Sequence, residues 1–223
     1  NQIITGGCTR AMAPKNLRNT KEKNILYFFT DDYAGKINHF ERLILKFKIR
    51  KLSIDLKKSK TLKFKMINND VIKLFDALSK KYSNLNFIIK VKSGNTVKEA
   101  KVFQKKFNNK NLKFFYGGAG HEFIPEAKIV IGLNTTAIFE SLYTNKTTII
   151  PLKKNFLNKK NKYFFYKYPK KNVVIGYNNL KKTIESLINK NKKIKLNNKK
   201  LIKYYLGDIN KSSNMLFNFL EKY

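Results

Sequence analysis

Short apolar runs alternate along the chain with stretches of helical spacing. The runs NILYFF (24–29), NFIIKV (86–91), LKFFY (112–116), KIVIGL (128–133), TTIIP (147–151) and NVVIGY (172–177) are mostly apolar. Each predicts a strand buried on both faces rather than a half-exposed one. Between them, residues 69–82 place Val71, Leu74, Phe75 and Leu78 on one helical stripe. Helical patterns also cover 37–49, 97–107, 179–189, 199–205 and 212–223, whereas 53–67 has no clean period. Strands and helices in alternation predict an α/β fold, a Rossmann-like doubly wound parallel sheet with KIVIGL near its centre. No internal repeat is present.

One junction concentrates polar chemistry. In AKIVIGLNTTAIFESLYTNKTTIIP (127–151) an apolar run stops at Leu133, and Asn134, Thr135 and Thr136 follow at once. In an open parallel sheet, ligands bind beyond the carboxyl ends of the strands. Asn134 or Thr135 is a natural helix N-cap, and the free N–H groups of the first turn suit a phosphate. Thr136 and Glu140 are four residues apart, the spacing of one helix face. A carboxylate there can accept bonds from a vicinal diol such as a ribose. The same residues serve equally as a plain cap followed by a solvated acid.

Other candidate chemistry is sparser. GGAGHEF (117–123) follows a predicted strand, so Gly117, Gly118 and Gly120 allow tight turning and close approach of a ligand, with His121 beside them. Asp31, Asp32 and His39 do not form a recognised metal-ligand set and read as a loop and helix cap. Cys8 is the single cysteine, which rules out an internal disulfide, fits a reducing compartment and offers no nucleophilic pattern.

Composition adds a question of charge. The 223 residues carry 48 Lys or Arg against 14 Asp or Glu, a formal charge of +34. Such an excess suits an anionic partner, and a Lys-, Asn- and Ile-rich genome bias produces it too. The segment Lys153–Lys171 interleaves aromatics with lysines. That pattern fits a packed loop, an anionic membrane surface or single-stranded nucleic acid. No run of about 18 apolar residues occurs. The start, NQIITGG without Met, implies one domain of a longer protein. Residues 1–23 read as a linker, 24–205 as a ligand-binding domain and 206–223 as a terminal helix.

IVIGLNTTAIFESLYTNKTTIIP resembles the nucleotide-sugar signature of GT-B glycosyltransferases, in particular bacterial surface-polysaccharide and Kdo-transferase-like proteins. The match lies in Asn134-Thr135-Thr136, Glu140, Asn145-Lys146 and Pro151. ITGGCTR (4–10) and LGDINKSS (206–213) resemble the entry and exit segments of the same domain, with Lys211 where Gly is usual. A K-x-H-P motif is usual after the second strand; this chain has Lys90 and Lys92 there and no His-Pro.

The resemblance implies the C-terminal, donor-binding half of a GT-B fold that transfers an activated sugar, with a CMP-linked acidic sugar as candidate donor, to a glycan or lipid-linked glycan. Asn134, Thr135, Thr136, Lys90 and Lys92 would meet donor phosphate and Glu140 the ribose. Gly117, Gly118, Gly120 and His121 would approach the base. No cofactor or metal is implied, the catalytic base would lie in another domain, and the location would be cytoplasmic, peripheral at the membrane. A CDP-glycerol-type polyol-phosphate transferase shares this frame. A non-catalytic basic module binding nucleic acid is the rival from another class, and it is disfavoured.

Overall fold

In the computed structural model the described residues are 22–29, 67–92, 96–107, 109–133, 135–153 and 170–190. Six strands and four helices lie within them. The strands are β1 (Asn24–Phe28), β2 (Asn86–Val91), β3 (Leu112–Tyr116), β4 (Ala127–Gly132), β5 (Thr147–Leu152) and β6 (Val173–Ile175). The helices are α1 (67–81), α2 (Thr96–Lys106), α3 (Ala137–Tyr143) and α4 (Tyr177–Lys190). The predicted helices at 37–49, 199–205 and 212–223, the 1–21 part of the linker and the ambiguous 53–66 lie outside the described residues.

The strands form one sheet in the order β3-β2-β1-β4-β5-β6. Every neighbouring pair is parallel. The order reverses between β1 and β4, which makes their carboxyl ends the switch point of a doubly wound sheet. β4 is central, as the apolar run KIVIGL predicts. All five residues of β1 are buried, whereas β3, an edge of the sheet, alternates and leaves Lys113 and Phe115 exposed.

Alternation along β1 divides the core. Tyr27, Phe29, Phe75, Phe87 and Phe103 form a run of tilted and edge-on rings with centroids 5.2 to 6.5 Å apart. Phe75 comes from α1 and Phe103 from α2, so both helices cover this face of the sheet. The Tyr27 hydroxyl is buried there and donates to Asn68 Oδ1 at 2.6 Å, which removes the cost of an unpaired polar group. Phe28 points to the opposite face, where α3 packs.

Two local features answer tensions in the sequence. Pro151 sits inside β5 although it has no N–H to give a ladder. The pairing of β5 with β4 runs only from Thr147 to Ile149, and Pro151 aligns with Val174 of the short β6. The register of β1 against β4 shifts between Asn24 and Ile25, stepping over Lys128. Lys128 then donates to the Ile188 carbonyl near the end of α4 at 3.1 Å, a favourable place for a cation.

Phe75 is fully buried among rings, so Phe75→Ala should cost about 3–5 kcal/mol of unfolding free energy. Val102 is 67% exposed on α2, and Val102→Ser should stay within about 0.5 kcal/mol. Urea denaturation of both variants checks the contrast; equal losses would mean that the ring run does not bear the core.

Candidate functional site

The carboxyl edge at the switch point is assembled from two loops that meet one ring. A Cβ placed on Gly120 would lie 2.9 Å from Phe28 Cε1. A Cβ placed on Gly132 would lie 3.3 Å from Phe28 Cβ, 3.0 Å from Ile138 Cδ1 and 3.3 Å from Thr135 Cγ2. Contacts under 3.4 Å leave no room for a side chain without movement of a neighbour. Glycine at both positions therefore lets the turn after β3 and the start of α3 close onto the end of β1. The segment Gly120–Phe123 is one turn of 3-10 helix, and it touches α3. Two stretches that are separate in sequence thus converge on one edge.

The threonines at the start of α3 divide their roles. The helix begins at Ala137 with Thr136 as N-cap, one or two residues later than the sequence suggests. Thr136 makes no side-chain cap bond and is exposed. Thr135 Oγ1 instead accepts a bond from the Ala137 N–H at 3.3 Å. Asn134 lies outside the described residues.

Glu140 is 6% exposed, so it is not the solvated acid of the plainer alternative. α3 is only seven residues long, and Ala137 to Leu142 are all buried. With six of its seven residues buried, the helix leaves little wet face for an acid. A carboxylate is rarely buried without a partner, and Glu140 has one.

The end of α3 explains the Asn145-Lys146 pair. Asn145 adopts φ 56°, its N–H bonds the Leu142 carbonyl at 3.2 Å, and the Lys146 N–H bonds the Ser141 carbonyl at 2.9 Å. This is a Schellman close in which Asn stands where Gly is commoner. The Lys146 ammonium reaches Glu22 at 2.9 Å and the Pro125 carbonyl, fastening the amino edge of the sheet. That half of the sequence block is structural.

Lys90 and Lys92 leave β2 at the same edge and differ. Lys92 is exposed. Lys90 is buried, with its ammonium donating to the Gly117 and Gly118 carbonyls. Burial holds its pKa below the ordinary lysine value, and Glu122 opposes that shift. Gly117 and Gly118 both have positive φ, 68° and 67°, a conformation that glycine adopts without penalty. His121 belongs to the Gly120–Phe123 turn.

Sequence reasoning missed Phe28, Glu122 and Phe123. NILYFF signals only a buried strand, and nothing local marks its fifth residue as the seat of two distant glycines. Further along the edge, Lys153 pairs with Asp70 at 2.8 Å beside a shallow cleft of Val71, Leu152, Gly176 and Tyr177. The remainder of the aromatic-lysine segment, 154–169, lies outside the described residues, as do Asp31, Asp32, His39 and Cys8. Among the described residues, no helix is long and apolar enough to cross a membrane.

No family model matches the sequence, and no curated protein does. Among solved structures, the chain is similar to TarM, with 15% identity and a TM-score of 0.44 over 100% of this chain and 35% of that one. It is similar to the pneumococcal O-GlcNAc transferase GtfA, solved with UDP and GlcNAc, at 8% identity and a TM-score of 0.41 over 93% and 36%. The apo structure of OtsA gives 10% identity and 0.44 over 96% and 48%. The chain thus spans less than half the length of each. Likenesses of this degree carry no argument about function, and the doubly wound character of the sheet rests on its own strand order.

Proposed function

We propose that this chain is the donor-binding half of a GT-B-type glycosyltransferase that uses a nucleotide-activated sugar in building a surface glycan. One observation carries the proposal: the glycine turn and the threonine-led helix, the two stretches with ligand-binding character in the sequence, both close on Phe28 at the β1–β4 switch point. That is where an open α/β sheet holds a ligand. Thr135, Thr136 and the neighbouring Asn134 would meet the donor phosphates, with exposed Lys92 supplying counter-charge. Glu140 would meet hydroxyls of the ribose. The Gly117–His121 turn would border the base. The acceptor would be a glycan or lipid-linked glycan brought by another domain, and the catalytic base would come with it.

A melting-temperature panel of CMP, CDP, UDP, GDP and ADP on the full 223-residue chain tests this. A ligand at about 100 times its Kd stabilises by roughly 2.7 kcal/mol. For a chain of this size each kcal/mol moves Tm by roughly 2–4 °C. One base should stand out. Equal shifts for every nucleotide that vanish steeply with added salt would point instead to phosphate-backbone binding by the +34 charge.

Two variants sharpen the site. Glu140→Gln keeps size and one acceptor but loses a charge-assisted bond, so the preferred nucleotide should bind about 1.5–3 kcal/mol more weakly; unchanged affinity removes the ribose role. Gly120→Ala forces the Phe28 ring to move. It should cost about 1–3 kcal/mol of stability and weaken the nucleotide as well, whereas a stability loss with affinity intact would place the ligand elsewhere.

A further inference from the structure

Among the described residues Lys90 is the lysine that is truly enclosed, at 4% exposure. An ammonium out of water is costly unless its donors are satisfied. Its partners all come from one short segment. It donates to Gly117 O and to Gly118 O, the latter at 3.2 Å. It lies 5.4 Å from the centre of the Phe123 ring, within range of a cation–π contact. The carboxylate of Glu122 acts on it electrostatically. Phe123 in turn packs on Phe115 of β3, ring centres 5.1 Å apart. The main chain of Lys90 is fixed as well, since its carbonyl accepts the Phe29 N–H at 2.9 Å.

A cation placed to meet a ligand phosphate keeps its donors open to the crevice. Lys90 gives two of its three N–H donors to consecutive carbonyls whose glycines hold positive φ, and its ammonium also lies near the Phe123 ring. We propose that Lys90 is a positioning residue: its ammonium pins the Gly117–Phe123 turn, and so sets Gly120 against Phe28 and fixes the wall of the nucleotide crevice. The pin itself stands on geometry alone; its effect on nucleotide rests on the function proposed above. Acting through the turn, it changes affinity without regard to the charge of the ligand. A direct phosphate contact would do the opposite.

The test uses the full chain, isotope-labelled, with Lys90→Met. The carbonyl carbons of Gly117 and Gly118 report the ammonium directly. As pH rises they should titrate together in the wild type, at a midpoint below that of exposed lysines, and not at all in Lys90→Met. Glu122→Gln should lower the midpoint further. Tyr116, hydrogen-bonded to Gln104, is held above the ordinary tyrosine value by burial, and its own ring signals follow it separately. Amide exchange across 117–123 should quicken about tenfold or more in Lys90→Met while β1, β4 and β5 keep their protection.

The best nucleotide of the panel and its parent nucleoside should weaken by the same factor. Flat glycine carbonyls in the wild type, or unchanged local exchange in Lys90→Met, overturn the pin; a loss confined to the phosphate-bearing ligand overturns its role as a positioning residue. Where Lys90→Met does not fold, the wild-type carbonyl titration decides alone. Should no nucleotide bind the wild type, the donor proposal falls while titration and exchange still decide the pin.

Discussion

The ring of Phe28 governs how closely three separate segments can approach. It ends β1, the strand beside which the sheet reverses its order, and it is 7% exposed. Gly120 lies over one edge of the ring and Gly132 against its Cβ. Interiors are packed as densely as organic crystals, so a side chain at either glycine has nowhere to go without displacing Phe28 or Ile138. The arrangement makes the turn after β3, the end of β4 and the start of α3 into parts of one object. The functional proposal rests on that convergence.

The two edges of the sheet are built differently. At the amino edge, polar side chains answer one another: Asn24 donates to Glu126 at 3.0 Å, Asn86 donates to Asn24 at 3.1 Å, and Lys146 bonds Glu22. Asn172, itself buried, donates to the Thr148 carbonyl at 2.7 Å. These groups are spent on holding the chain together. At the carboxyl edge the comparable residues are exposed, as with Thr136 and Lys92, or are turned onto a loop, as with Lys90. Division of a sheet into a stabilising end and a binding end is usual in α/β architecture.

Much of the architecture was legible because each strand announces itself by composition. NFIIKV and LKFFY match β2 and β3 residue for residue, and the stripe of Val71, Leu74, Phe75 and Leu78 is the buried face of α1. What escaped were features set by contacts across long stretches of chain. α3 starts at Ala137 behind Thr136, while the capping bond comes from Thr135, whose hydroxyl accepts the Ala137 N–H. Glu140 looks like a surface acid on an amphipathic helix, yet six of the seven residues of α3 are buried. The resemblance implies Lys90 at the donor phosphate; only the fold shows that its ammonium donates to two carbonyls of a later turn. Pro151 closes the predicted strand TTIIP, and the fold accommodates it because the β4 ladder stops at Ile149.

The pairing of β1 with β4 has a consequence for the order in which the protein assembles. Asn24 aligns with Ala127, so this contact closes a very long loop, whereas β2 meets β3 across only one short helix. Loop closure draws on chain entropy before any contact repays it, and distant parallel pairings form slowly. The β2–β3 and β4–β5 units each have a local crossover to nucleate on, whereas joining β1 to β4 carries the larger loop-closure entropy. The contacts of Gly120 and Gly132 with Phe28 lie on the seam between β1 and β4 and exist only in the joined state. A ligand held there, as the function proposed above requires, would bind the finished fold and no precursor of it, and its occupancy would act as a clasp across the two halves of the sheet.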